Sequence, residues 1–150
     1  MSGLAALVVS LLGFAGDEVS KDLARRKLAG KDKELFGGKV KLMLRENKGF
    51  AMNKLESNRK AVVTVSAAVF AVLLVFYIPV IAGDRYRAVR PGFSLLFAGA
   101  AGNVYDRLVK GRVTDFINVS VFDKIVFNIA DVLIVIGGLM AVIGEITGGR

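Results

Sequence analysis

Four apolar stretches, separated by polar segments, set the pattern of this chain. They cover residues 2–16, 61–82, 91–105 and 125–146. A transmembrane helix needs roughly 20 apolar residues, and the second stretch offers 22 residues without a charge. The pattern therefore predicts an integral membrane protein, mainly α-helical, in which four transmembrane helices form a bundle and residues 1–150 form a single membrane domain.

The first and third stretches are shorter than a usual span, and each needs its own argument. A cleaved signal peptide is the rival interpretation of residues 2–16, but such a peptide begins with a positively charged region, and no Lys or Arg precedes this stretch. We therefore predict an uncleaved first span. In the third stretch, Pro91 suits the first turn of a helix. The small residues from Ala98 to Gly102 would allow close packing between helices in lipid.

The extramembrane segment between the first two spans, residues 17–60, is polar and basic. It holds thirteen Lys or Arg and seven Asp or Glu. Its first part, residues 17–35, is expected to continue the first helix until a pair of glycines breaks it. Charged and apolar residues alternate over residues 39–45, which predicts a strand with one apolar face. Residues 47–52 are expected to form a turn followed by a small apolar step.

An even number of spans places both chain ends on one side of the membrane. The segments 17–60 and 105–124 then share the opposite side. Within the second segment, the apolar residues 116–122 are expected to form a pair of strands. Three aspartates, at positions 106, 115 and 131, consequently lie at one membrane face together with the basic segment.

Composition narrows the chemistry that this face can perform. The chain is 54% hydrophobic with a mean hydropathy of +0.56, and its net charge is +8. Beside membrane spans, that charge fits anionic lipid headgroups better than nucleic acid. The chain has neither cysteine nor histidine, which excludes thiolate catalysis, histidine-dependent triads and the usual zinc sites. Acid–base chemistry would fall to carboxylates, Lys or Tyr.

Asp115 and Asp131 are the best candidates for a catalytic pair. Both lie at the same membrane edge, one beyond the third span and one in the first turns of the fourth. Two carboxylates close together in a poorly hydrated site share a proton and titrate as a unit. One can take a proton from water while the other protonates a carbonyl oxygen. The alternative is that these aspartates cap helix ends or pair with nearby cations: Arg107, Arg112 or Lys124.

Other polar residues near the span ends have plausible supporting roles. Asn103 and Asn128 could orient the carboxylates or bind a substrate backbone, with hydrogen bonding between helices as the alternative. Asp106 and its neighbour Arg107 are expected to form a local ion pair. Asp17 and Lys21, four residues apart, lie on one helical face and are expected to form a salt bridge.

Five short motifs appear in order along the chain, and together they resemble those of the signal peptidase II family of bacteria. Two lie in the first half: Asp17-Glu18-Val19-Ser20-Lys21 and Asn47-Lys48-Gly49-Phe50-Ala51. Three lie in the second half: Asn103-Val104-Tyr105-Asp106-Arg107, Val113-Thr114-Asp115-Phe116 and Phe127-Asn128-Ile129-Ala130-Asp131. Each motif alone is weak, but five in the family's order are specific.

The resemblance implies an aspartic endopeptidase of the bacterial cytoplasmic membrane, with Asp115 and Asp131 as its catalytic dyad. It implies no metal or organic cofactor. The substrate would be a diacylglyceryl-modified prolipoprotein, cleaved before the lipidated cysteine, and the enzyme would be a monomer among membrane phospholipids. A small β-rich platform would lie on the outer membrane face. Supporting or substrate-binding roles would fall to Asn47, Asn103, Arg107, Asn128, Asp17 and Lys21.

The distribution of positive charge and the family resemblance predict opposite orientations in the membrane. The face with the aspartates carries seventeen Lys or Arg, and the other face carries four. The positive-inside tendency would place the aspartates in the cytoplasm, whereas the resemblance places them outside. We follow the resemblance, because the enzyme has to meet an exported precursor.

Two readings from other functional classes remain open. The first is a non-catalytic membrane scaffold or lipid-binding protein that keeps the fold. The second is a small transporter subunit that uses Asp131 as an ion or proton site. Only the peptidase requires both Asp115 and Asp131.

Overall fold

Four helices dominate the structure, a computed structural model that describes residues 1–49, 58–122 and 124–148. The helices are α1 (Gly3–Lys27), α2 (Arg59–Ala82), α3 (Arg90–Tyr105) and α4 (Ile129–Gly148). Three of them, α1, α2 and α4, are long and apolar enough to cross a membrane. Many of their large apolar side chains are exposed, as expected for surfaces that face lipid.

The shorter helix, α3, packs against the other three. It has 16 residues and continues into a π-helical turn at Asp106–Lys110. Its contact with α4 is close, since an added Cβ at Gly99 would collide with the backbone carbonyl oxygen of Ala130. The small residues of the third stretch therefore serve helix packing, as the sequence predicts.

A four-stranded antiparallel sheet covers one end of the helices. Its strands are β1 (Lys33–Leu35), β2 (Val40–Asn47), β3 (Val113–Val119) and β4 (Val126–Phe127), in that spatial order. Strand β2 confirms the strand predicted over residues 39–45. The sheet packs on the end of α1 through a cluster formed by Ala24, Leu28 and Phe116, with Leu42, Leu44, Ile117 and Ile129 around it.

The helix predicted over residues 17–35 is too long. Helix α1 ends at Lys27, and Gly30 then takes a positive φ of 68°, a conformation that glycine adopts without steric cost. The chain turns back and forms β1, whose backbone groups pair with β2. Pairing with the next strand of the chain outweighed the local helical signal.

Two predictions in the second half of the chain are also wrong in detail. Residues 116–122 do not pair with each other, because β3 pairs with β2 on one side and β4 on the other, and Ser120–Phe122 is a 3-10 turn. The last helix begins at Ile129 rather than at residue 125, since β4 occupies the preceding residues. The predicted apolar step, from residue 50 onward, lies outside the described residues.

Arg90 binds backbone groups at the end of the helix bundle that lies opposite to the sheet. The sequence pattern predicts a tight polar loop over residues 83–90, between the second and third apolar stretches, yet the Arg90 side chain is buried and α3 begins with it. It donates to the backbone oxygens of Val80, Met1 and Gly83 at 2.7–2.8 Å. The last carbonyls of a helix lack partners within the helix, so Arg90 satisfies the end of α2 while it binds the start of the chain. Arg90 thus holds the first residue and the 83–90 turn together at the end of the bundle opposite to the sheet.

Candidate active site

Asp115 lies in the middle of β3, where two side-chain amides hold its carboxylate. Its Oδ1 accepts a hydrogen bond from Asn128 Nδ2 at 2.7 Å, and its Oδ2 accepts one from Asn47 Nδ2 at 3.1 Å. The Asp115 side chain is buried. Each carboxylate oxygen thus has a defined donor, which fixes the orientation of the group.

A β-bulge in β2 brings Asn47 to this position. Leu42 pairs with Ile117, but Arg45, three residues further, pairs with Asp115 only two residues away. The extra residue reverses the alternation of faces beyond the bulge. Asn47, and not its neighbour Glu46, therefore lies on the same face of the sheet as Asp115.

Asp131 and Asn128 cap the start of α4 reciprocally. Asn128 Oδ1 accepts a hydrogen bond from the Asp131 backbone N–H at 3.0 Å, and Asp131 Oδ2 accepts one from the Asn128 backbone N–H at 3.0 Å. This is the geometry of a capping box. Helix capping, the structural alternative raised by the sequence, is therefore present at Asp131. Its other oxygen, Oδ1, accepts a hydrogen bond from Asn103 Nδ2 at 2.9 Å.

Two asparagine side chains connect the carboxylates of Asp115 and Asp131. Asn128 Nδ2 donates to Asp115 and also to Asn103 Oδ1, at 3.1 Å. Asn103 in turn donates to Asp131. The same Asn103 oxygen also accepts a hydrogen bond from Lys21 Nζ at 3.3 Å. The two carboxylates are consequently held by one continuous hydrogen-bond network.

A buried charged cluster lies beside this network. Lys21 Nζ lies 2.7 Å from Asp17 and 3.0 Å from Asp106, and all three side chains are fully buried. Lys110 Nζ lies 2.5 Å from Asp106 and 2.5 Å from Glu18. The salt bridge predicted between Asp17 and Lys21 is confirmed, but it belongs to a larger cluster of three carboxylates and two ammonium groups.

Asp17 also joins α1 to the start of α4. Its Oδ1 accepts a hydrogen bond from the Ala130 backbone N–H at 2.8 Å, a group that has no partner within the helix. Gly102 lies against the Asp17 carboxylate, and a Cβ at that position would collide with it. The hydrogen bond between Asp17 and Ala130 therefore holds the first and last motifs of the chain together.

A cavity of about 640 Å³ opens in front of the carboxylates. Its polar wall includes Asp115, Asp131, Asn47, Asn103 and Arg107. Its apolar wall comes from β4 and α4, with Ile125, Val126, Phe127, Val132 and Val135. The two aspartates thus face a space that is large enough for a peptide segment and apolar on one side.

Burial is the main influence on the ionisation of Asp115. It raises the pKa of Asp115 from 3.8 to about 6, and the neighbouring charge of Asp131 adds to this effect. Hydrogen bonds from Asn47 and Asn128, and the charge of Lys21, act in the opposite direction. Asp115 therefore keeps its proton to a higher pH than an ordinary aspartate does.

Arg107 brings a cation to the edge of the same cavity. It donates to the backbone oxygens of Asn103 and Gly49, each at 3.2 Å. Asp106 forms salt bridges with Lys21 and Lys110, and its predicted ion pair with Arg107 stays a prediction.

The structure brings the predicted site residues together at one end of the bundle, in two layers. Asn128, Asp17 and Lys21 are fully buried behind the cavity wall, and the other predicted residues line it. Sequence reasoning missed Lys110, although it follows Asp106 by four residues, the same spacing that revealed the salt bridge of Asp17 with Lys21. It also missed Arg45, which lines the cavity, because nothing in the local sequence marks it. Lys124 lines the cavity as well, but the sequence suggested it only as a possible partner of the aspartates.

Comparison with known proteins bears on this arrangement of residues. The family model described as signal peptidase (SPase) II matches residues 9–147. This chain belongs to the signal peptidase II family. The resemblance carried by the five motifs is thereby confirmed.

Individual members of the signal peptidase II family are similar over most of their length. The lipoprotein signal peptidase of Caldicellulosiruptor bescii is 33% identical over 133 residues, which cover 89% of this chain and 85% of the relative. The lipoprotein signal peptidase of Staphylococcus haemolyticus is 31% identical, with 92% of this chain and 88% of the relative covered. A solved bacterial membrane enzyme superposes with a TM-score of 0.81 at 26% identity, covering 97% of this chain and 90% of its own.

Proposed function

We propose that this protein is a membrane aspartic endopeptidase that removes signal peptides from diacylglyceryl-modified prolipoproteins, cutting before the lipidated cysteine. The observation that carries the proposal is the convergence of Asp115 and Asp131 on one cavity, joined through Asn128. The family of the chain and the names of its relatives support the substrate class.

The two carboxylates divide the work of hydrolysis. Because its pKa lies near 6, Asp115 is assigned the proton that the pair shares. Asp131 takes a proton from a water molecule, whose oxygen attacks the scissile carbonyl carbon while Asp115 protonates the carbonyl oxygen. The C–N bond of the gem-diol intermediate then breaks as Asp131 protonates the amine nitrogen, and one hydroxyl group returns its proton to Asp115 as the carbonyl re-forms. Acid and base are both supplied by the chain, so the reaction needs no cofactor.

The residues around the dyad are assigned supporting roles. Asn47 and Asn128 hold Asp115, and Asn103 holds Asp131. Arg107 lies at the cavity wall, where its donors can reach a substrate backbone. Asp17 and Lys21 support the network from behind.

The apolar wall of the cavity suits a lipid-modified substrate. Val132 and Val135 lie both at the cavity and on the exposed surface of α4. They form a continuous apolar path from the outside of the bundle to the aspartates. A substrate held in the bilayer by its signal peptide and acyl chains would approach along this path, which keeps its scissile bond near the membrane edge.

We further propose that all four helices cross the bacterial cytoplasmic membrane and that the sheet lies on its outer face. Helix α3 is short, but helical backbone continues from Arg90 to Lys110, which is sufficient for a span. Exposed apolar side chains at the sheet, including Phe36 and Phe122, would contact the membrane surface. Phospholipid would cover the exposed faces of α1, α2 and α4, so the protein is expected to act as a monomer.

The substrate class is tested with a pair of synthetic precursor peptides that differ only in the diacylglyceryl group on the cysteine. Purified protein in detergent or lipid is expected to cleave the lipidated peptide and to release a fragment whose first residue is the lipidated cysteine, as mass spectrometry would show. The matched peptide without lipid is expected to remain intact. Failure of the folded protein to cleave the lipidated peptide would favour the scaffold interpretation, and equal cleavage of both would remove the lipid requirement.

A further inference from the structure

We infer that Lys21 is a positioning residue for the aspartate pair, because its buried ammonium group holds the Asn103 amide in the one orientation that serves both carboxylates. This inference rests on the proposed function of Asp115 and Asp131. It assigns Lys21 a specific task beyond general support of the fold.

The ammonium group of Lys21 has a complete set of partners. It lies 2.7 Å from Asp17, 3.0 Å from Asp106 and 3.3 Å from Asn103 Oδ1. An ammonium group has three N–H donors and no acceptor, and Lys21 forms a hydrogen bond with Asn103 and ion pairs with Asp17 and Asp106. Only an oxygen can occupy the Asn103 position that faces Lys21.

The other contacts of Asn103 follow from that constraint. With Oδ1 toward Lys21, the Asn103 NH2 group faces Asp131 Oδ1 at 2.9 Å. Rotation of the amide by half a turn would place the Asn103 oxygen against the Asp131 carboxylate. It would also place the Asn103 NH2 group against two donors, the ammonium group of Lys21 and the NH2 group of Asn128. Because Lys21 carries a full charge, its hydrogen bond contributes most to this preference.

The effect of Lys21 extends to Asp115 through Asn128. Asn128 Nδ2 donates both to Asn103 Oδ1 and to Asp115 Oδ1, so the position of the Asn103 oxygen favours the Asn128 orientation that holds Asp115. The charge of Lys21 also lowers the pKa of Asp115, against the effect of burial. Loss of Lys21 would therefore disturb both carboxylates, although Lys21 does not line the cavity.

Lys110 provides an internal comparison. It belongs to the same charged cluster and also lies 2.5 Å from Asp106, but its other partners are Glu18 and the ring of Tyr105. Within the part of the chain that the structure describes, Lys110 contacts no asparagine of the network. A purely structural role of the cluster would make the two lysines equivalent, whereas positioning of Asn103 depends on Lys21.

Two double variants make this comparison at equal charge. Lys21→Met/Asp106→Asn and Lys110→Met/Asp106→Asn each remove one ammonium group and the same carboxylate from the cluster. The first is expected to lower kcat for the lipidated peptide by roughly tenfold or more relative to the second. Its KM should change little, because Lys21 lies behind the cavity wall.

A readout without substrate separates this inference from the proposed function. Carbon-13 NMR of the Asp115 carboxyl group is expected to give a titration midpoint about half a pH unit or more higher in the Lys21 double variant than in the Lys110 double variant. Equal midpoints together with equal kcat values would overturn the inference. If the Asp115 titration midpoints differ between the double variants but the unaltered protein cleaves no precursor, the proposed function is wrong. The positioning role of Lys21 would still hold.

A measurement on the unaltered protein covers the case in which a variant does not fold. The Lys21 ammonium group and the Asn128 NH2 group donate to the same Asn103 oxygen, so a nuclear Overhauser effect is expected between their protons. Its absence, with the ammonium signal observed, would show that Lys21 does not hold this amide.

Discussion

At the scale of single residues, the buried position of Asp115 in the site lowers the stability of the folded protein once its carboxyl group ionises. Its carboxyl group is buried, and its pKa is raised to about 6 mainly by that burial. In the unfolded chain the pKa returns to about 3.8, so between these values the folded protein binds the proton more tightly. The stability that this proton contributes is fully present below about pH 4 and is lost as the pH rises through about 6.

Asp115→Asn removes this titration and should reveal its size. We expect the difference in unfolding free energy between the variant and the unaltered protein to move in favour of the variant by up to about 3 kcal/mol from pH 4 to pH 7. Denaturant unfolding in detergent at the two pH values measures the difference. A difference that does not depend on pH would show that the Asp115 carboxyl group has no raised pKa.

The roles of individual residues were only partly predictable from the sequence. Asp115, Asp131 and the asparagines stand at span ends within recognisable motifs, and the structure brings them together. Arg90 was assigned to a tight loop, residues 83–90, because this short segment between two apolar stretches carries three arginines. Its burial depends on carbonyl groups from other parts of the chain, which no local pattern contains.

At the scale of elements, the pair α3 and α4 depends on glycines at specific positions. A Cβ at Gly137 would lie 2.7 Å from the carbonyl oxygen of Gly92, in the backbone of the facing helix. At the next residue, Gly138, the nearest atom to an added Cβ is a Leu96 side-chain methyl group at 3.6 Å, which is ordinary contact. Two adjacent glycines of one helix therefore have different constraints.

The same substitution at these two positions should have opposite effects. Gly137→Ala is expected to destabilise the protein by about 1–3 kcal/mol, because the helices have to move apart. Gly138→Ala is expected to be neutral or stabilising by up to about 1 kcal/mol, because alanine favours helix. Unfolding in detergent compares the two. Equal destabilisation by both would contradict the packing described here.

Elements were predictable where their signal is local. The apolar stretches correspond to α1, α2, α3 and α4, and alternation identified β2. The strand β1 and the bulge in β2 were not predictable in this way, because both depend on pairing with a partner strand. The bulge is nevertheless what turns Asn47 toward Asp115.

At the scale of the whole molecule, the orientation in the membrane is the main proposal that the fold leaves to experiment. The site end carries most of the positive charge, which favours the cytoplasm. The proposed substrate is an exported precursor, which requires the site to face outward. The second requirement decides our assignment, because catalysis depends on contact with the substrate.

The chain has no cysteine, so single-cysteine variants can test the orientation directly. Lys39→Cys lies beside the sheet and Arg85→Cys at the other end of the bundle, and both positions are exposed. A membrane-impermeant maleimide applied to cells with a permeable outer envelope is expected to label the first and not the second. Labelling of the Arg85→Cys variant alone would show that the protein has the opposite topology.

The assignment of the aspartate pair is tested most directly by cleavage of the lipidated precursor peptide with three purified variants. Asp115→Asn and Asp131→Asn are each expected to lower kcat by at least about a thousandfold while the protein stays folded. Asp22→Asn, a change to a half-exposed aspartate on α1 that pairs with Arg25 and Arg26, is expected to cleave at the unaltered rate. Full cleavage by either dyad variant would contradict the proposed mechanism.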